Sequence, residues 1–307
     1  MNMLQKIISE KDLAWDKHSG NTIENFSVQI SDNASNELRD NHQLITNLEE
    51  TFPILQKEIL GFKNKFLIGG IGFFVIDGKC FSDFSREETI GIYNKICKAL
   101  GTLYVQNIKN EKFVVIKDEG KSMMSGGRYH QTKEGGSFHT DSPQWNKVPD
   151  FVGLCCVNPA KKGGESKFVS AYSIHNEILK EHKHFLKILY DQFHFDKRGE
   201  YRSDESPTVF EPIFTYDNNH LKLRYLRDYI NDGHKIQNMP LSKEQNGALD
   251  CLDKIIHDEN LAVSYELKQG DMIFLNNGRV LHGRTAFEDF EDIDKKRQMI
   301  RTWIKDT

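Results

Sequence analysis

The chain has 307 residues, 38% of them hydrophobic and 28% charged, with 20 Phe, 10 Tyr and 3 Trp, enough for one large domain or two intimate ones. Its 41 basic residues against 45 acidic ones leave a net charge of −4, which gives no electrostatic case for a nucleic-acid partner. With 22 Gly, 7 Pro and no repeat period, collagen-like and low-complexity classes are excluded.

The N-terminus, Met1 to Asp12, has no apolar core and carries early acidic charge, so it does not read as a secretory signal. Asn36 to Ile59 places Leu38, Ile45, Leu48, Phe52, Leu55 and Ile59 near helical spacing and predicts a helix. Gly61 to Gly78 holds Phe66-Leu67-Ile68 and the run Ile71 to Ile76 among glycines, which predicts a buried strand. Apolar runs such as Leu67 to Ile76 fall far short of the roughly 18 residues needed to cross a bilayer, so no membrane partner is expected. Ser85 followed by Arg86-Glu87-Glu88 predicts a capping box and a helix to about Leu100, stopped by Gly101.

Lys112 to Lys117 alternates as a strand and runs into a long Gly- and Ser-rich loop, Asp118 to Gly136. Phe138–Asp141 follows, then an apolar strand Phe151–Val157, in which the neighbours Cys155 and Cys156 must face opposite ways. A turn at Lys161–Gly164 leads to a strand at Ser166–Ala171 and a helix at Ile174–Tyr190. Strands at Val209–Tyr216 and Leu221–Leu226 flank a turn at Asn218-Asn219. A helix runs from Ser242 to about His257, and strands resume at Val263–Leu267, Met272–Leu275 and Gln298–Ile304. Many short strands with few helices predict a sandwich or barrel carrying peripheral helices. Five cysteines without a CxxC spacing fit a reducing compartment, the cytoplasm.

Twelve histidines remain to be sorted. On a strand, residues i and i+2 share a face, so a His-x-carboxylate pair plus a distant His can hold one ion, the facial triad of non-haem Fe(II) oxygenases. Four such pairs occur: His139/Asp141, His175/Glu177, His194/Asp196 and His257/Glu259. His175 and His257 lie in helical stretches, where i and i+2 diverge by about 200°, and both read as surface residues. His194 sits in an alternating stretch beside Lys197 and Arg198 and reads as part of a solvated strand face. His139 differs: it follows Gly135-Gly136, where backbone can approach a ligand closely. A second half-site comes after Gly270-Asp271 and a buried strand, with His282 inside Leu281-His282-Gly283-Arg284. Arg297, Met299, Arg301 and Trp303 then share one strand face. Two arginines on one face are either solvated on an edge strand or gathered to grip carboxylates.

Gly135-Gly136-Ser137-Phe138-His139-Thr140-Asp141-Ser142, Gly163-Gly164-Glu165-Ser166, Leu281-His282-Gly283-Arg284-Thr285-Ala286-Phe287 and Arg297-Gln298-Met299-Ile300-Arg301 follow one order. From about Gly69 to Ile304 the chain resembles the taurine dioxygenase and clavaminate synthase-like (TauD/TfdA) family of Fe(II)/2-oxoglutarate-dependent oxygenases. The first 60 or so residues carry no motif of that family. The resemblance implies a mainly β fold with flanking helices around a double-stranded β-helix, or jelly roll. It is expected as a single domain over 1–307, with a helical N-terminal extension (1–65) and a catalytic core (66–307).

The resemblance also implies His139, Asp141 and His282 as iron ligands. Arg297, with a hydroxyl from Ser166, would hold the far carboxylate of 2-oxoglutarate, and Arg301 an acidic group on the substrate. Fe(II), 2-oxoglutarate and O₂ would be required, with release of succinate and CO₂. Asp141 stands where related halogenases have a small residue, which favours hydroxylation over halogenation; desaturation and ring closure stay open. The expected substrate is a small acidic molecule such as an amino acid or its derivative. Arg128, Tyr129 and His130 are candidates for a lid, and Trp145, Tyr225, Arg227 and Asp228 for the pocket. Two other classes compete: a zinc hydrolase using the same ligands, though no HExxH is present, and a non-catalytic metal-binding relative.

Overall fold

The computed structural model describes residues 3–19, 26–107, 109–121 and 131–307. In chain order, β1 (Ser27–Val28) precedes helices α1 (Asp32–Asp40) and α2 (Pro53–Phe62) and strand β2 (Phe73–Ile76). The single helix predicted over Asn36–Ile59 is thus two. Pro53, which has no N–H to give to a preceding turn, opens α2 at its first position. The predicted buried strand also shortens. Phe66-Leu67-Ile68 belongs to a π-helical turn, Lys63–Ile68, that carries α2 onward. The chain escapes it at Gly69-Gly70, where a Cβ on Gly70 would lie 2.4 Å from the Lys65 carbonyl oxygen.

Helix α3 (Arg86–Leu100) starts with the predicted capping box between Ser85 and Glu88. Strands β3 (Thr102–Tyr104), β4 (Phe113–Ile116), β5 (Gly136–His139), β6 (Phe151–Asn158), β7 (Lys162–Gly163) and β8 (Ser166–Ser170) follow. The helix predicted over Ile174–Tyr190 breaks at His182 into α4 (Ala171–Glu181) and α5 (Lys183–Leu189). Next come β9 (Gln192–Asp196), β10 (Thr208–Pro212), β11 (Phe214–Asp217) and β12 (His220–Leu223). The predicted Val209–Tyr216 strand is split at Ile213, so β10 pairs with β9 while β11 and β12 form a hairpin. Its turn residues Asn218 and Asn219 have φ of 49° and 64°, as a tight hairpin of this kind requires.

The strand predicted to Leu226 ends at Leu223, and helix α6 (Arg227–Ile236) opens just beyond it. Helix α7 (Lys243–Ile256) and strands β13 (Val263–Tyr265), β14 (Met272–Asn276), β15 (Val280–Arg284), β16 (Phe287–Glu288) and β17 (Gln298–Lys305) complete the chain. Among the described residues no helix is long and apolar enough to cross a membrane.

Two sheets face each other, and the fold is the predicted jelly roll with flanking helices. The larger has the order β1-β2-β14-β6-β17-β3, with β4 also on β17; the smaller has the order β13-β8-β15-β5. Period-2 alternation divides each strand between two cores. Phe73 and Val75 of β2 join Phe168 and Val280 of the small sheet in the space between the sheets. Phe74 and Ile76 turn the other way, against Leu38, Ile59 and Ile96 of α1, α2 and α3. Each such side chain contributes roughly 1.5–3 kcal/mol on burial, so β2 is held from both sides. Cys155 and Cys156 divide in the same way between the outer and inner cores. On the far side of the small sheet, Val169 and Leu281 pack with α4, α5 and α7 and with Leu4 and Ile8. The inter-sheet space is therefore apolar at one end and open to polar groups at the other.

Candidate active site

The site is built first by strand register. In the small sheet β15 lies between β8 and β5, and His282 is directly paired across the strands with His139. Their neighbours Phe138 and Leu281 point to the core on the far side of the small sheet, so both imidazoles point into the space between the sheets. The two rings stand 4.5 Å apart between centroids. Asp141 lies just beyond β5, with Oδ1 3.6 Å from His139 Nε2 and 3.7 Å from His282 Nε2. Among the described residues these three form the one grouping of His, Cys, Asp or Glu able to surround a metal, their ligand atoms within 4.8 Å of one another.

Local contacts fix His139 and Asp141. The Ser137 carbonyl accepts from His139 Nδ1 at 3.0 Å, which leaves Nε2 as the ring nitrogen on the Asp141 side. Asn277, in the turn between β14 and β15, grips the backbone of Asp141 on both sides. Its Oδ1 accepts from the Asp141 N–H at 2.7 Å, and its Nδ2 donates to the Asp141 carbonyl at 2.9 Å. The chain then swings away at Ser142, whose φ of 56° lies in the left-handed region. Thr140 exchanges two hydrogen bonds with the Tyr225 backbone, holding this segment to the start of α6. Trp303 Nε1 donates to Asp141 Oδ2 at 2.6 Å, leaving Oδ1 on the histidine side.

Charge follows the same plan. Burial by itself raises the Asp141 carboxyl, but Arg301 beside it and the hydrogen-bonding histidines hold it well below the usual range. Burial, and then His139, push the His282 imidazole down toward the neutral form that a metal ligand needs. Arg301 is oriented by Nε donating to Gln106 Oε1 at 2.8 Å, and its Nη1 is 3.5 Å from Asp141 Oδ1. These contacts engage two of the five donors that a guanidinium carries. Arg297 is deeper, only 6% exposed, with its charged form disfavoured mainly by burial. Its guanidinium lies 5.1 Å over the Phe287 ring, and its Nη1 has no hydrogen-bond partner among the described residues. A buried cationic donor left in this state implies an anion that completes it. Arg284 stands over the same ring at 4.6 Å, pushed down to about 10 by burial and then by Arg297.

His139, Asp141, Ser166, His282, Arg297 and Arg301 line one cavity between the sheets. Arg128, Tyr129 and His130 lie outside the described residues. Of the four other pocket candidates, Trp145 bonds Glu200 and packs edge-on against Trp303, beside the cavity. Tyr225 and Arg227 instead bond Asp253 of α7, and Asp228 is exposed on α6. Asn277, Gln106 and the indole N–H of Trp303 were not foreseen. Trp303 had a visible signal in its place on the arginine face. Asn277 had only its position in an Asn-Asn-Gly turn.

Two other histidines correct the expectation. His175 is not on the surface but fully buried, its Nε2 3.1 Å from Tyr190 Oη, because α4 is covered on this side by Phe214 and Tyr190. His194 is half-buried rather than solvated, stacked on Phe210 at 4.3 Å and bonded to Thr208. His257 is exposed, as expected.

Comparison with known proteins agrees with this geometry. FR-33289 synthase of Streptomyces rubellomurinus is 31% identical over 240 residues, covering 76% of this chain and 69% of that protein. More distant curated relatives are 26% identical, and the chain spans 40 to 42% of their length. A solved asparagine oxygenase with Fe(II), 3-hydroxyasparagine and succinate superposes with a TM-score of 0.70 at 15% identity, covering 91% of this chain and 93% of that one. The non-haem iron oxygenase OrfP with Fe and alpha-ketoglutaric acid does so at 0.61 and 13% identity, covering 91% and 94%. A sequence profile matches residues 67–303, and the chain belongs to the taurine catabolism dioxygenase TauD, TfdA family.

Proposed function

We propose that the protein is an Fe(II)- and 2-oxoglutarate-dependent dioxygenase that hydroxylates an unactivated C–H bond of a small acidic substrate, such as an amino acid or its derivative. One observation carries the reading furthest. The two-His, one-carboxylate group shares its cavity with a buried arginine whose Nη1 lacks a partner. An ion alone leaves Arg297 uncompensated; an ion with a dicarboxylate satisfies both. The donor set, two imidazoles and one carboxylate with an open side, is the facial arrangement of non-haem iron.

His139, Asp141 and His282 would hold the iron, which with 2-oxoglutarate and O₂ supplies oxidative decarboxylation to succinate and CO₂ and the power to attack a C–H bond. The protein's part is orientation. Arg297 and the Ser166 hydroxyl would take the far carboxylate of 2-oxoglutarate, Arg297 through the rigid fork that suits a carboxylate. Arg301, steadied by Gln106, would take the acidic group of the substrate. Trp303 and Asn277 hold Asp141 so that Oδ1 faces both imidazoles. Asp141 itself supports hydroxylation over halogenation. The structural neighbour crystallised with 3-hydroxyasparagine and succinate holds a hydroxylated amino acid beside succinate, the kind of product pair proposed here. The free cysteines, three of them buried, fit a cytoplasmic site of action.

Anaerobic addition of Fe(II) and 2-oxoglutarate should give a visible charge-transfer band, absent in His139→Ala. An intact, folded protein that gives no band would overturn the reading.

A further inference from the structure

We propose that Arg284 is a positioning residue that couples the cosubstrate end of the cavity to the metal end. An anion seated on Arg297 tightens the hold of Arg284 on the start of β5, and with it the grip of His139 and His282 on the metal. The inference rests on the reading above, in which Arg297 takes a carboxylate of 2-oxoglutarate and the two histidines hold iron.

The segment from Arg284 to Phe287 serves both ends at once. On one side it receives three successive carbonyl oxygens of the chain that leads into β5. Arg284 Nη2 donates to the Thr132 carbonyl at 3.1 Å and also to that of Glu134. Between these two, the Phe287 N–H donates to the Lys133 carbonyl at 3.1 Å. Nη2 carries two hydrogens, so its two bonds use it fully. Gly135 lets the two backbones come this close, since a Cβ on it would lie 3.1 Å from Ala286 N. Strand register continues the arrangement. Arg284 pairs with Gly136, the first residue of β5, and His282 pairs with His139, the last. One end of β5 is thus set by a guanidinium, and the other is a metal ligand.

On its other side the same segment carries the cation meant for the cosubstrate. Arg284 lies 4.6 Å and Arg297 5.1 Å over the one Phe287 ring, and both line the cavity. Two guanidinium groups gathered on one ring and largely shielded from water repel each other. That repulsion works against the bonds that keep Arg284 on the Thr132 and Glu134 carbonyls. A carboxylate on Arg297 cancels it, so Arg284 settles on those carbonyls and β5 on its register with β15. By linkage the reverse holds: a metal held between His139 and His282 improves the carboxylate site by the same factor.

The test reads iron affinity by anaerobic Fe(II) titration, followed by tryptophan fluorescence, with and without butyrate. Butyrate offers Arg297 one carboxylate and has no second group to reach the metal, so chelation does not explain its effect. In the unaltered protein, saturating butyrate should lower the Kd for Fe(II) about fivefold or more, and Fe(II) should lower the Kd for butyrate equally. In Arg284→Gln both ratios should fall below about twofold. A merely structural Arg284 would weaken iron binding alike with and without butyrate and leave the ratio unchanged. A second measurement needs no substitution: in the metal-free protein, butyrate should slow tryptic cleavage after the exposed Lys133 about fivefold, and leave cleavage after other exposed lysines unchanged. The proposal is overturned if butyrate leaves the Fe(II) affinity or the Lys133 cleavage as it was, or if Arg284→Gln keeps the full ratio. Failure of butyrate to compete with 2-oxoglutarate would instead bring down the placement of the carboxylate on Arg297. Failure of the unaltered protein to bind Fe(II) would bring down the oxygenase reading, and this inference with it.

Discussion

His139-Thr140-Asp141 and His194-Phe195-Asp196 share one pattern at strand ends, yet the fold gives them different work. His139 faces a second histidine across the ladder, and Asp141 stands between them. His194 has Phe210 opposite it, stacks on that ring and bonds Thr208. Asp196 is taken by Arg198, through its N–H at 2.8 Å and its guanidinium at 3.3 Å. The local geometry of the pair is therefore necessary and insufficient. What separates them is the identity of the residue across the sheet, and whether the carboxylate is already neutralised by its own neighbour.

The sharpest way to break that contrast is to remove the cross-strand partner. His282→Ala should reduce 2-oxoglutarate turnover to background and abolish the charge-transfer band, whereas Asp196→Asn should leave both as they are. A band that survives in His282→Ala would remove the basis of the comparison.

His175, of a third such pair, extends it to stability. Burial pushes its imidazole down to about 4, from 6.5. The unfolded chain then takes up the proton more readily than the folded one. The stabilising effect of the neutral ring is complete above about pH 6.5 and is lost as pH falls toward 4, at most about 3 kcal/mol. Denaturant unfolding across this range should show the slope, and His175→Gln should flatten it. An equal slope in the variant would show that other groups are responsible.

Arg297→Ala should raise the half-saturating concentration of 2-oxoglutarate by about two orders of magnitude, since a buried carboxylate loses its bidentate partner. The smallest effect expected is that of Trp303→Phe, which removes the donor to Asp141 Oδ2 but keeps most of the ring volume. Iron affinity, measured by anaerobic titration, should fall by about tenfold. Unchanged affinity would mean that Asn277 alone positions the carboxylate.

How much of this was legible depended on whether the cause was local. The His139/Asp141 face, the arginine face of β17 and the capping box at Ser85 follow from backbone periods of 2 and 3.6, so spacing exposes them as candidates, and the neighbouring motifs choose His139/Asp141 among four such pairs. Asn277 clamps a residue 136 positions away, and Gln106 orients one 195 away. Such partners exist only once the register of distant strands is set, and no short window contains them. The burial of His175 is similar: helical spacing separated it from Glu177, but Phe214 and Tyr190 decided which face was covered. The strand read through Phe66-Leu67-Ile68 failed for another reason. A short apolar run beside glycines fits a strand and a buried helical turn equally, and here α2 simply continued.

Among the described residues, strand β5 is the outermost member of its sheet, four residues long and bonded on one flank only, with an irregular ladder between His282 and Arg284. Such an edge is the part of a sheet most readily peeled away. An ion shared by His139 and His282 would bind β5 to its neighbour through side chains where the backbone supplies little. Loading with metal would then act as a fastener as well as a catalyst. It would raise the temperature of unfolding and slow amide exchange in β5 before any substrate is present.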